Sequence, residues 1–216
     1  MNDLGYQRSL QERKLFIPEG ITLITVKKKS QYGKITEELI VPKFTDKELE
    51  HAEDVIKVDI YKAKERFLKG ELSTWDKEYK SEVKEASFSI SPELICRDKK
   101  IISFCYGLVY SDNILMRPYG EYYSVNYDLV KNKLIKASDF FKVSSKKDSL
   151  ELAKYILSAL GGHAAEGEFN FSEIDFSMDD STFYFFSDQY QFGTPFKNSG
   201  GIKKKYISKY VKEEYR

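Results

Sequence analysis

From residue 83 onward the apolar side chains of this chain recur at every second position, and many of them are rings. Phe88 and Ile90, then Ile102, Phe104, Tyr106, Leu108 and Tyr110, then Tyr123, Val125, Tyr127 and Leu129 each mark one side of an extended segment. A period of two fits strands and excludes helices. The densest stretch, residues 122–129, is followed by Lys131-Asn132-Lys133-Leu134-Ile135 and by Ser138-Asp139-Phe140-Phe141. It reads as a strand, a tight turn, a second short strand and a helical turn. These alternations predict an antiparallel sheet with one face packed and the other partly wet.

The remaining elements follow from local signals. Residues 21–26 are β-branched and apolar, and after a polar turn near Gln31-Tyr32-Gly33 the run 35–41 returns as a second strand, which Pro42 is expected to stop. Thr45-Asp46-Lys47-Glu48 has the form of a capping box. Behind it Leu49, Ala52, Ile56, Ile60, Ala63 and Phe67 recur at helical spacing until Gly70 offers a stop. This long helix is the natural cover for the packed face of the sheet. A second helix opens at Ser145, carries Leu150, Ala153, Leu157 and Leu160, and ends at Gly161-Gly162. A hairpin with its turn at Asp179-Asp180 and a final strand and short helix over 202–211 complete the order, which is α+β in class. Residues 1–80 form an N-terminal strand and helix unit and 81–216 a larger C-terminal part. The first is too small to be stable alone, so the two are expected to share one core.

Composition limits the function classes. Lysine and arginine number 35 against 34 acidic residues, so no global field draws the chain to nucleic acid or to an anionic membrane. Lys27-Lys28-Lys29 and Lys203-Lys204-Lys205 lie near rings, yet acidic neighbours favour a role in guarding strand edges. No apolar run is long enough to span a bilayer, and residues 1–14 are polar with no leader-like core. Read alone, such a chain is expected in the cytoplasm. Cys96 and Cys105 lack metal spacing and are expected to be free buried thiols.

Catalytic signals are sparse. The two histidines, His51 and His163, are far apart, and neither sits in a metal-binding pattern. Asp175, Asp179 and Asp180 fail the spacing of a calcium loop and read as a hairpin turn. No nucleophile elbow or phosphate loop occurs, and no cofactor is expected. The carboxylates Asp128 and Asp139 keep a hydrolase open as an alternative, and the 16 Tyr and 15 Phe keep open a structural subunit of an assembly.

Beyond these readings, residues 101–211 resemble the domain shared by the RsiV anti-sigma factor, which senses lysozyme, and the non-catalytic region of the PdaC peptidoglycan deacetylase. The likeness rests on Asn126-Tyr127-Asp128-Leu129, on Asp139-Phe140-Phe141, on Phe183-Tyr184-Phe185-Phe186 with Tyr190-Gln191-Phe192-Gly193, and on Gly201-Ile202 with Tyr206-Ile207. Met116-Arg117-Pro118-Tyr119-Gly120 stands where family members have Gly-Gly-Ala-His. The resemblance implies an extracytoplasmic, non-catalytic module that binds a protein or peptidoglycan-type ligand. Tyr119, Tyr122, Tyr190 and Phe192 are the expected ligand-binding residues, from their placement on loops or strand edges.

Overall fold

The computed structural model describes residues 15–31, 34–72, 77–115, 118–160, 174–186 and 199–216. The architecture is α+β. Strands β1 (Ile21–Lys29), β2 (Ile35–Phe44), β3 (Ala86–Arg97), β4 (Ile101–Asp112), β5 (Tyr119–Asp128) and β6 (Lys133–Leu134) form one sheet in the order β1-β2-β3-β4-β5-β6. A second sheet has the order β7 (Asp175–Met178), β8 (Thr182–Phe186), β9 (Ser199–Lys203). The helices are α1 (Glu50–Glu65), α2 (Lys77–Glu82), α3 (Ala137–Phe140), α4 (Lys146–Ala159) and α5 (Lys204–Ile207). The chain divides into two compact units, the first made of Ile17–Pro92 with Tyr106–Glu121, the second containing Glu93–Cys105 with Tyr122–Arg216. Strands β3, β4 and β5 contribute residues to both.

In the first unit β1 and β2 pair antiparallel along their whole length, from Ile21 opposite Phe44 to Lys29 opposite Thr36. Pro42 does not end β2; it sits inside the strand opposite Leu23. The parallel ladder from β2 to β3 covers only Ile35–Leu39 against Ala86–Ile90, so beyond Leu39 the strand has an open side where a missing N–H breaks no ladder bond. That parallel pair is joined through α1, as a parallel connection requires.

Asp46, not Thr45, caps the turn that leads into α1, its carboxylate accepting from the Glu48 amide at 2.9 Å. Thr45 instead donates its hydroxyl to the Gly20 carbonyl at 3.4 Å. The expected stop at Gly70 also fails. A wider π-type turn, Arg66–Glu71, carries the helical path through Gly70, where a Cβ would meet only open space. The predicted stripe is otherwise in place: Ala52, Ile56, Ile60, Ala63 and Phe67 are buried, and α1 packs on β2. Phe67 is the aromatic centre of this unit, stacked on Phe88 at 5.3 Å and tilted against Tyr110 at 5.9 Å.

In the second unit Ser145 caps α4 by accepting from the Asp148 amide at 3.1 Å. Of the expected apolar face of α4, Ala153, Leu157 and Leu160 are buried, together with Leu152 and Ile156, while Leu150 is 47% exposed. This face joins Phe140, Phe141, Phe176, Phe183, Phe185, Ile202 and Tyr210 in one core. Packing there is close: a Cβ on Gly200 of β9 would lie 2.3 Å from the Ala159 carbonyl oxygen. The expectation of a half-wet sheet is also corrected at β4, since every residue over 101–108 is buried. Odd positions of that strand, such as Ser103 and Cys105, are covered as fully as even ones.

Candidate functional site

Two of the four expected ligand-binding residues lie among the described residues; Tyr190 and Phe192 lie outside them. Tyr119 starts β5 in the first unit, half-buried, with its ring 5.4 Å from Phe67. Tyr122 lies farther along β5 in the second unit, also half-buried, with its ring 5.7 Å from Phe186. Leu94 and Tyr122 pack on a small cluster of Cys105, Tyr184 and Phe186. At three residues' separation the two tyrosines stand at strand positions of opposite parity, so the strand does not gather them into one patch.

The motif residues have well-defined work in the second unit. Asp128 ends β5 and is 1% exposed. One carboxylate oxygen accepts from the Val130 and Lys131 amides at 2.8 Å each, closing the turn into β6, where Asn132 adopts a positive φ of 53°. The other oxygen accepts from the Tyr215 hydroxyl at 2.8 Å. Lys131 reaches Glu214 at 2.8 Å and lies 5.1 Å over the Tyr215 ring, which itself stacks on Phe140 at 5.0 Å. Burial and the Asp128 carboxylate together push the Tyr215 hydroxyl up to about 12.

Asp139 of the second motif accepts from the Lys136 amide at 3.0 Å. That bond, with the charge of Lys133, outweighs desolvation and holds its carboxyl below the usual range. A general acid needs the opposite shift. Asp179, expected in a turn, accepts from the Ser181 and Thr182 amides at 2.8 Å each and from the Tyr184 hydroxyl at 2.9 Å. The segment around His163 lies outside the described residues. Among the described ones, no group of His, Cys, Asp and Glu is placed to hold a metal ion.

Asn126 of the first motif belongs to a buried polar network that the sequence did not reveal. Its amide nitrogen donates to the Phe176 carbonyl at 2.6 Å, and its amide oxygen accepts from the Ser103 hydroxyl at 2.6 Å. Ser103 in turn accepts from the Met178 amide at 3.1 Å and lies 2.9 Å from the Ser177 hydroxyl. With its proton on Asn126, Ser103 has both lone pairs left for Ser177 and Met178. The only trace in the sequence was polar residues at positions flanked by buried ones in β4 and β5.

The first unit holds a second feature of this kind. Glu37 stands in β2 at the same parity as Ile35, Leu39 and Val41, and is 1% exposed. Lys64 of α1 reaches it at 3.4 Å and Glu65 at 2.9 Å. Burial alone would lower the Lys64 ammonium, but the bond to Glu65 and the charge of Glu37 raise it. An acid at an inward-facing strand position was the available signal.

The lysine runs and the cysteines are also placed. Lys27 pairs with Glu38 at 2.9 Å and Lys28 approaches Glu37 at 3.6 Å. Lys204 and Lys205 lie over the Phe183 and Tyr206 rings at 5.3 and 5.0 Å. Both cysteines are free and buried. The Cys96 sulfur is 3.8 Å from Asp180, and burial with that charge pushes its thiol up to about 11. No helix among the described residues is long and apolar enough to cross a membrane.

No family model matches this sequence, and no curated protein does. Solved structures do match. A DUF3298 family protein from Pseudomonas aeruginosa PAO1 is similar with a TM-score of 0.59 at 12% identity, over 92% of this chain and 97% of that one. A member of the same family from Bacteroides fragilis NCTC 9343 is similar with a TM-score of 0.54 at 14% identity, over 89% and 93% of the two chains. At such identity the shared property is the fold, and DUF3298 is a domain of unknown function.

Proposed function

We propose that this chain is a non-catalytic recognition module of the bacterial cell envelope, of the RsiV-like kind, that holds a protein or peptidoglycan-type ligand outside the cytoplasm. The observation that carries this reading is what the motif side chains do. Asp128 and Asp139, the carboxylates a hydrolase would need, are engaged in a turn, a helix start and the anchoring of Tyr215. Their roles are those of a scaffold, which leaves contact with a ligand to side chains such as Tyr122. Likeness in fold to DUF3298 proteins over nearly the whole chain is compatible with this assignment.

Calorimetric titration of the purified chain with soluble muropeptides and, separately, with lysozyme tests it. Saturable binding of one of these without its breakdown is expected. Tyr122→Ala should weaken it about tenfold or more, as loss of a central aromatic contact does. Thermal melts of the same variant separate lost binding from lost fold. Turnover of the muropeptides, or no binding of either ligand, contradicts the reading.

A further inference from the structure

The two edges of the six-stranded sheet are unlike. At one end β6 has two residues, too short to template another strand. At the other, β1 runs for nine residues with β2 on one side and no described strand on its other side. Its backbone N–H and C=O groups alternate in direction, so about half of them point away from β2. Thr22, Ile24, Thr25 and Lys27, Lys28 and Lys29 are exposed, and Ile24 is 39% so. Long exposed edges of this kind are what extended peptides add to, and the lysines that guard this one disfavour a neutral or basic strand but not an acidic one.

We infer that β1 is a docking edge for an extended acidic segment of a protein partner, which would join the sheet beside it. This rests on the recognition role proposed above and narrows the ligand to a protein. Charge selects the occupant. β1 carries no acidic residue, and its final three positions are lysines. Across β2, Lys27 and Lys28 have Glu38 and Glu37, but Glu37 is also held by Lys64, and the cross-strand partner of Lys29 is Thr36. Side chains of an added strand would flank the same lysines from the open side, where acids are favoured and bases disfavoured. A second copy fits poorly: parallel pairing sets lysine against lysine, and antiparallel pairing sets the lysines against Ile21, Thr22 and Leu23.

The test uses synthetic peptides of alternating Val and Thr that end in three Glu, three Gln or three Lys, added to the full chain. The Glu peptide should bind about tenfold tighter than the Lys peptide and slow amide exchange over residues 21–29. The variant K27E/K28E/K29E should reverse that order. A Glu peptide broken by proline keeps its charge but cannot pair as a strand, and should lose binding. Equal binding of that broken peptide would reduce the lysines to a bare electrostatic patch and overturn the inference. So would equal affinity for Glu and Lys peptides, protection outside residues 21–29, no binding, or self-association through β1 in sedimentation. Each of these results leaves the titrations with muropeptides and lysozyme to stand or fall separately.

Discussion

Tyr215 and Asp128, far apart in sequence, meet through a 2.8 Å hydrogen bond in which the phenol donates to a carboxylate that is almost wholly buried. The pair ties the final turn, Glu213–Tyr215, to the end of β5. Lys100 adds to the same attachment by donating to the Glu214 and Arg216 carbonyls at 2.7 and 3.1 Å. The chain's last residues thereby become part of the second unit's core region, with Tyr215 packed against its buried cluster.

The bond has an alkaline signature. In the folded chain the Tyr215 hydroxyl is raised to about 12, above the ~10 of an unfolded tyrosine. A raised acid favours the folded state while it stays protonated. Its contribution is therefore complete below about pH 10 and is lost as pH climbs toward 12. Tyr79, Tyr110, Tyr127 and Tyr210 are raised as well, so ultraviolet titration should show a group of late tyrosines that loses one member in Tyr215→Phe.

The Ser103, Asn126 and Ser177 network predicts a large cost for a small change. Asn126→Leu leaves the Phe176 carbonyl and the Ser103 hydroxyl without their partner inside the core. Each orphaned group costs about 1–3 kcal/mol. Urea unfolding should place this variant several kcal/mol below the parent, with Ser103→Ala at least as damaging, since it strips a partner from the Asn126 amide oxygen, the Met178 amide and the Ser177 hydroxyl. A loss under ~1 kcal/mol would mean that these groups find other partners.

Two glycines should respond oppositely to alanine. Gly200→Ala drives a methyl into the Ala159 carbonyl, a backbone atom that cannot step aside, and should destabilise by about 1–3 kcal/mol or more. Gly70→Ala meets open space in a helical turn and should stabilise by about 0.5–1 kcal/mol. Melting temperatures of the two variants check both signs at once.

The thiols should be silent in the native protein. Burial keeps Cys105 well above the ordinary thiol range and Cys96 near 11, so neither carries much thiolate at neutral pH. Ellman's reagent should find no fast thiol until denaturant is added, and then two.

How much of this was legible varied with the physics behind each signal. Period-two alternation gave the strands of both units because burial of rings leaves a direct trace in sequence. The starts of α1 and α4 were read to within a residue, Asp46 replacing Thr45 because either side chain can cap, while the short α2 was not read at all. Pro42 and Gly70 misled since both were judged by local preference, while an open strand side and a π-type turn made them tolerable. The function of Asp128 was the hardest to see. Its residue type fits catalysis and turn closure equally, and the turn amides and the Tyr215 hydroxyl that it accepts from are brought together only by the fold.

A double-mutant cycle on thermal unfolding, with Asp128→Asn, Tyr215→Phe and the pair together, addresses the central claim that the motif carboxylate is a structural pin. The bond predicts a coupling of about 1.5–3 kcal/mol, the range for a hydrogen bond to a charged group, with the double variant hardly worse than the more damaging single one. Additive losses, or an Asp128→Asn chain as stable as the parent, would contradict it.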